Sequence, residues 1–489
     1  MKGNLPKDYT WLYIAGIGMG LLFMAVFSFS NLTTKPRIWV DESLNIDIAH
    51  NIVDIGVANI ATGPSEFPSR PYTIATTGYA VTYPLALFFN LFGFGAPQAR
   101  VYAFLWMVVF ILTLAFFIQQ FFSLPAATFA VLLTVTFATF YDDGRTVVGD
   151  LPGFIFFLWG FYFLFIQKNF LWWGVMWGLA ISTKPSLYLP LLLVATVYAY
   201  WERAEISMKN IARFVYGVVP PILLWVALFF PHPFSLSTWK GAIVFFRNPF
   251  SKSLAYDVRY SLSIMPSSST IQYFVILGVA IVAAFFLLRR DLGKDIKLLY
   301  KLLFLYCILD FLYFLRSPGW LRYLFPLELI FLMMVYPAFH ELYLYAVQKM
   351  PHHKSRLSWL PLSVVSMLLV AQIIQLFFFS SILSSPIPEG VSAYLQQELK
   401  PGETAGIINE PYVAAFVPRL MRQQHFFLTG MPVLGTHPLS KSVDELPRIL
   451  VFQERDRIKY IAQYADILDK YYIKKGVIFG TQIIYQRIP

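Results

Sequence analysis

Charge is scarce in this chain. Only 13% of its 489 residues are Asp, Glu, Lys or Arg, against about a quarter in an ordinary soluble protein. Length alone would suggest about three soluble domains, and so low a charge content excludes that reading. Cysteine is scarcer still. Cys307 stands alone in an apolar run, so an internal disulfide is excluded and cysteine usage says nothing of compartment. Histidines do not cluster: His50, His232 and His340 are isolated, and His352-His353 form a lone pair, without the ligand spacing of a zinc site. The sequence has no Walker loop, no dinucleotide fingerprint and no Gly-x-Ser-x-Gly element, so nothing in it supports ATP hydrolysis or serine catalysis. Internal repeats and low-complexity linkers are absent too.

What the chain has is apolar surface. It is 57% hydrophobic, with 48 Phe and a mean hydropathy of +0.60. A span needs about 20 apolar residues, because only a helix satisfies its own backbone inside lipid. Eleven apolar runs are read as spans: Trp11–Asn31, Arg100–Phe122, Leu124–Phe140, Leu151–Gln167, Phe170–Ser182, Pro185–Trp201, Phe214–Phe230, Ile271–Leu288, Leu302–Leu315, Leu321–Tyr343 and Leu357–Phe379. The fifth is short enough to be a partial span. The first has a basic flank, but no small-residue cleavage site follows it, which favours a retained anchor over a signal peptide. The net charge of +11 sits in loops between these runs, so it reads as charge at the membrane surface and not as a nucleic-acid footprint. The two most basic loops, Arg289–Lys301 and Lys349–Arg356, fall on the same side as the N terminus. The positive-inside rule then puts the N terminus in the cytoplasm. Residues Leu32–Ala99, Asp142–Gly149, Pro231–Thr270, Arg316–Trp320 and the tail are expected on the outer face.

The expected architecture is an α-helical polytopic membrane domain over residues 1–380, followed by a small α/β extracytoplasmic domain over 381–489, with Pro386 and Pro388 at the boundary. Within the tail, Ala393–Leu399 and Ile458–Tyr472 read as helices. Thr404–Ile408, Gly476–Phe479 and Ile483–Gln486 read as strands, the last two joined at Gly480-Thr481 as a hairpin. In the first outer loop, Leu44, Ile48, Ile52 and Ile55 share one helical face opposite Asn45, Asp47, Asn51 and Asp54, with Gly56 as the stop. Such a helix is expected to lie in the membrane interface, with Asp41 and Glu42 at its N-terminal end. There they serve as cap and dipole partners or as reactive carboxylates. A second short helix is expected from Thr82-Tyr83-Pro84 to Gly93, with Pro84 in its first turn.

Ionisable residues next to apolar runs are costly and point to function. Arg145, Asp150, Lys184, Arg316 and Arg322 all stand at the expected outer edge. Each cation alone is accounted for by snorkelling to headgroups. Several of them beside acids on one face fit a phosphate site, in which Arg offers a bidentate fork and Lys a point charge.

Taken in order, these elements resemble the GT-C superfamily of membrane glycosyltransferases, and most of all its protein O-mannosyltransferase (family 39) and lipid A aminoarabinose transferase group. The resemblance rests on Asp41-Glu42 after the first span, Tyr83-Pro84-Leu85 closing at Gly93, and Arg100. It continues through Gly144-Arg145 to Gly149-Asp150-Leu151-Pro152, Gly178-Leu179-Ala180 with Thr183-Lys184-Pro185, and Arg322-Tyr323 with Pro326. It spans roughly residues 10–340. What it implies is a hexosyl- or pentosyltransferase of the cell envelope that takes a sugar from a polyprenyl-phosphate donor. The acceptor would be a glycan, lipid or protein hydroxyl on the outer face, and transfer would proceed with inversion. By the same resemblance Asp41 is the general base, Asp150 a second active-site acid, and Glu42 an orienting residue. Arg145, Lys184, Arg322 and Arg316 become phosphate-binding candidates, with Tyr83 and His50 toward the substrate cavity. A divalent cation, Mg²⁺ or Mn²⁺, at Asp41, Glu42 or Asp150 is compatible with their carboxylate chemistry. The aminoarabinose transferase's Lys-Pro-Pro segment is missing, as is the long sugar-binding insertion of the eukaryotic protein O-mannosyltransferases. The resemblance therefore singles out neither lipid A nor protein as the acceptor. The alternative reading is a secondary transporter of a small anionic or lipid-linked solute. Transporters place ionisable groups at the midplane, often in repeated halves, and here the charges sit at one face, with Asp310 the main midspan exception. A non-catalytic scaffold would leave the outer charges without a purpose.

Overall fold

The computed structural model describes residues 10–61, 67, 72–230, 232–246, 253–288, 293–317, 319–349, 359–380, 382–400, 402–408, 411–417, 442–453 and 464–488. The basic loop residues 289–292 and 350–358, with His352 and His353, lie outside them. Helix α1 (Thr10–Phe29) is followed by α2 (Val40–Ile55), α3 (Tyr79–Phe92) and α4 (Ala96–Phe121). The chain then folds through α5 (Leu124–Val135), α6 (Ala138–Asp142), α7 (Asp150–Phe165), α8 (Phe170–Thr183), α9 (Pro185–Tyr188) and α10 (Leu191–Trp201). Next come α11 (Met208–Phe229), α12 (Leu236–Phe246), α13 (Leu254–Ile264), α14 (Ser269–Leu288), α15 (Lys294–Leu315), α16 (Phe325–Lys349) and α17 (Leu360–Ile374).

All eleven expected spans are helical, but not all have the length of a span. Among the described residues six helices are long and apolar enough to cross a membrane, or seven if the pair α13–α14, bent by 85°, counts as one. Helices α5, α7 and α8 and the α9–α10 pair are shorter. Helices α5 and α7 are largely buried among other helices, a cause of apolarity that hydropathy alone does not separate from lipid contact, whereas α8 and the α9–α10 pair also expose apolar side chains such as Trp172, Leu189 and Leu193. The chain is a multi-pass membrane protein of helical architecture with a small sheet appended.

Close approach of α8 and α11 is set by glycine. A Cβ on Gly174 would lie 2.2 Å from the Phe214 carbonyl oxygen, and one on Gly217 2.2 Å from that of Leu171. Gly174 and Gly178 are spaced as a small-xxx-small pair, which lets helix backbones meet where no hydrophobic force drives them together in lipid. Gly174→Val is expected to destabilise the protein by about 1–3 kcal/mol, read as a lowered unfolding midpoint in detergent. Helix α17 is fixed by polar contacts. Thr136 donates to Gln372 Oε1 (2.7 Å), and Gln372 donates to the Tyr273 hydroxyl (3.0 Å).

The tail forms helix α18 (Ile387–Glu398), strands β1 (Ala405–Ile408) and β2 (Ile449–Gln453), helix α19 (Ala465–Tyr471), and strands β3 (Tyr472–Ile478) and β4 (Gln482–Arg487). Sheet order is β1-β2-β4-β3, parallel between β1 and β2 and antiparallel elsewhere. The expected hairpin at Gly480-Thr481 is present. Expected helix Ile458–Tyr472 is helical from Ala465 among the described residues, and 458–463 lie outside them. Strand β2 was not expected. Ile449 and Val451 pack with α18 residues Val391 and Leu395 on one face, while Leu450 and Phe452 pack with Leu468 of α19 on the other. Covered on both faces, the strand has no polar alternation to read.

This domain is tied to the first loop. Arg37 N–H donates to the Leu383 carbonyl (2.7 Å) and Ser385 N–H to that of Thr34 (3.0 Å). Ala415, in a short turn at Pro411–Phe416, packs with Ile46 and Ala49 of α2. Helix α2 is covered by protein on its polar side: Asn45, Asp47 and Asn51 are buried and find their hydrogen bonds within the protein. Asn45 donates to the Val147 carbonyl (2.8 Å), and Asp47 accepts from Ala61 N–H (2.8 Å). The α3 expectation is adjusted too: the helix starts at Tyr79, so Pro84 lies inside it and not in its first turn.

Candidate active site

Helix α2 begins at Val40 without a side-chain cap, Trp39 being extended, and ends at Gly56 in the left-handed region. Its first turn carries Asp41 and Glu42, where free backbone N–H groups favour negative charge. Adjacent residues point about 100° apart, and the two carboxylates go to different partners. Asp41 Oδ2 lies 2.8 Å from Arg322 Nη2, with the pair partly open to solvent. Glu42 turns inward and is fully buried, with Oε2 2.7 Å from Arg100 Nη2 and Oε1 accepting from Val147 N–H (3.3 Å). Arg100 also donates to the carbonyls of Pro36 and Arg145. Glu42 thus locks α2 to α4 and to the loop before α7.

Asp150 opens α7. The preceding Gly149 lies against the end of α8, where a Cβ would come within 2.3 Å of the Thr183 carbonyl oxygen. That approach brings Asp150 Oδ1 to 3.9 Å from Lys184 Nζ, both groups being nearly buried. Tyr188 donates to the Asp150 backbone carbonyl (2.5 Å). Gly78 N–H donates to the Thr183 carbonyl (3.0 Å), joining the loop before α3 to the same point.

These two pairs form one electrostatic cluster. Burial pushes the Asp41 carboxyl's pKa up, but Arg322 and then Lys184 pull it further down, and the net result is below the usual carboxylate value. Arg322 in turn feels Asp41, Asp150 and Asp143. Asp143, which the sequence reading passed over, is a further member. Burial first, then Asp142 and Asp150, hold its pKa well above the ordinary value, against the pull of Arg322 and Lys184. Asp41 and Asp143 are thus shifted in opposite directions by environment alone, Asp41 downward by its cations and Asp143 upward by burial. The only sequence signal for Asp143 was an acidic doublet before a glycine, which reads as a turn.

The remaining candidates lie elsewhere or have other partners. Arg145 is buried and faces the end of α1. It donates to the carbonyls of Ser28 (2.5 Å), Phe27 (3.4 Å) and Asn31 (3.3 Å), at and just beyond the C terminus of α1. Its guanidinium is thus engaged by backbone and belongs to neither of the two ion pairs. His50 follows Asp41 by nine residues, about half a turn away in net rotation. It pairs with Asp54 (2.8 Å) and packs on Phe94, away from Asp41. Tyr83 is on the exposed side of α3, whose buried side carries Val81, Thr82, Leu85 and Phe89. Arg316 ends α15 and is half-buried. Asp310 is buried deeper in α15, beside the free Leu327 N–H in the first turn of α16. A divalent ion does not fit the three carboxylates proposed for it: Glu42 is held by Arg100, and Asp41 by Arg322. Among the described residues no group of three His, Cys, Asp or Glu could hold a metal ion.

Comparison with known proteins gives the fold a family setting. The family model of dolichyl-phosphate-mannose-protein mannosyltransferase matches residues 77–233. No curated protein matches the chain by sequence. Among solved structures, ArnT from Cupriavidus metallidurans in the apo state is similar at a TM-score of 0.60 and 14% identity, over 97% of this chain and 98% of that one. The same protein bound to undecaprenyl phosphate matches at 0.58 and 12%, over 98% of each chain. The apo oligosaccharyltransferase from Archaeoglobus fulgidus matches at 0.56 and 11%, over 95% of this chain and 73% of that one. At such identities the likeness is one of fold, and the fold is that of GT-C glycosyltransferases.

Proposed function

We propose that this protein transfers a sugar from a polyprenyl-phosphate donor to an acceptor hydroxyl at the outer membrane face, with inversion. The observation that carries the reading is the joining of Asp41–Arg322 and Asp150–Lys184 into one cluster at the loop end of a GT-C fold. The family match to a lipid-phosphate-sugar enzyme and a fold relative bound to undecaprenyl phosphate support it. Residues 1–380 are read as the membrane catalytic domain and 381–489 as an extracytoplasmic domain, with the N terminus cytoplasmic. Partners are the donor, the acceptor glycan, lipid or protein, and the surrounding lipids, which hold the prenyl chain.

In the reaction, the acceptor oxygen attacks the anomeric carbon while Asp41 takes its proton. The carbon–oxygen bond to phosphate breaks, and its electron pair stays on the departing polyprenyl phosphate. A hydroxyl needs a positioned base in that transition state. The leaving phosphate needs fixed positive charge, which Arg322 and Lys184 supply. Donor phosphate competes with Asp41 for Arg322, so arrival of the donor raises the basicity of Asp41 when it is needed. Asp150, 3.9 Å from Lys184 Nζ, holds Lys184 in place.

The test is transfer by purified protein in nanodiscs from a panel of undecaprenyl-phosphate sugars. Arg322→Ala and Lys184→Ala are each expected to lower kcat about 10²-fold and to weaken binding of undecaprenyl phosphate. Solute uptake by proteoliposomes, with no sugar transfer from any donor, would instead favour the transporter.

A further inference from the structure

Arg322 has a support whose location was not evident from its own segment. It lies in the turn Leu321–Leu324, between α15 and α16. Two aromatic rings of that segment, Trp320 and Tyr323, each have their centroid 5.5 Å from its guanidinium. The turn itself is fixed from α13, a helix of the preceding loop that the bend of 85° sets across the end of α14. Ser261 of α13, fully buried, donates to the Ser317 carbonyl (2.8 Å). Ser317 Oγ accepts from Trp320 N–H (3.2 Å). Gly319 between them has φ +73°, and a Cβ there would lie 2.7 Å from Ile264 Cδ1 and 3.0 Å from Tyr260 Cε1. Left-handed backbone and close approach both require glycine at this point. Ile264 and Met265 then pack with Leu321, Tyr323 and Leu324 in one apolar cluster.

We propose that α13 is the element that sets Arg322: Ser261, Ile264 and Tyr260 are positioning residues that act on the Gly319 turn and so define the subsite for a lipid-linked phosphate. This rests on the reading of Arg322 as a phosphate ligand. The hydrogen bond, the glycine turn and the apolar cluster fix the guanidinium from one direction, and the Asp41 carboxylate meets it from the other. Any movement of α13 is transmitted to Arg322 through Ser317 and Gly319. A displaced Arg322 loosens donor phosphate and, at the same time, no longer holds Asp41 ionised. A loss of general stability produces neither effect specifically.

Two variants test this in the full-length protein in nanodiscs, Ser261→Ala and Gly319→Ala, with undecaprenyl phosphate as the binding probe. Ser261→Ala removes one buried hydrogen bond and is expected to weaken probe binding ~3- to 10-fold, with Ser261→Thr restoring it. Gly319→Ala is expected to weaken it more, and to move the acidic limb of the transfer pH profile to higher pH as Asp41 recovers a more ordinary pKa. If Gly319→Ala does not fold, Ser261→Ala with its Thr rescue decides the question by itself. Arg322→Ala separates the two possible failures. Unchanged probe binding in Arg322→Ala overturns the phosphate reading and this proposal with it. Lost binding in Arg322→Ala, with binding and pH profile unchanged in both α13-linked variants, overturns the positioning proposal alone.

Discussion

Asp41→Asn should lower kcat for sugar transfer by roughly 10²–10⁴-fold, the usual worth of a positioned general base, while the protein remains folded and still binds undecaprenyl phosphate. The side chain keeps its shape and loses its charge and its basicity. The pH dependence gives an independent check. Arg322 and Lys184 hold the Asp41 pKa below the ordinary value despite burial, so the base is ionised and competent across the neutral range. Activity in the native protein should fall only as pH drops through that lowered pKa, and Arg322→Ala should shift this acidic limb upward. Asp41→Glu offers a control, since it returns a carboxylate at a displaced position and should recover part of the rate. Measured in purified protein, full activity in Asp41→Asn would remove Asp41 from the chemistry and leave the Arg322 pair as a structural contact only.

Helices were legible because apolar runs of this length have few other outcomes. What hydropathy did not resolve was whether a run meets lipid or protein, and α5 and α7 are the cases where it meets protein. Helix α2 and its stop at Gly56 were legible, while its partners were not. Asn45 finds Val147 across 102 residues, a distance at which sequence pattern carries no information about contact. Arg145 is a related case. An arginine at a span edge looks the same whether its partner is a phosphate or the terminal carbonyls of a helix, and its helix, α1, ends more than a hundred residues earlier. The Asp41, Asp150, Lys184 and Arg322 candidates converge because each sits where a helix starts or stops, on loops that meet at one end of the bundle. Asp143 carried too common a turn signature to be singled out.

Breaking the Glu42–Arg100 pair should give the largest loss of stability available from a single polar substitution in this loop. Both side chains are fully buried, so removing one leaves the other charged and without its partner in a low-dielectric setting, at a cost of about 3–5 kcal/mol. Arg100→Ala is expected to be the worse variant. It also frees the Pro36 and Arg145 carbonyls, each of which loses a buried donor. Glu42→Gln keeps the shape and one acceptor, and should be milder. The double variant Glu42→Leu/Arg100→Met removes both charges together and should recover much of the loss, because the desolvation penalty of the pair disappears with it. Activity should not follow stability in that variant. With the ion pair gone, nothing charged fixes the first turn of α2 against α4, and Asp41 occupies the adjacent position in that turn. A double variant that unfolds near the native temperature yet transfers sugar slowly would make Glu42 a positioning residue for Asp41. Native stability in Arg100→Ala would mean that the pair is dispensable and that the first turn of α2 is held by its other contacts, the Asp41–Arg322 pair among them.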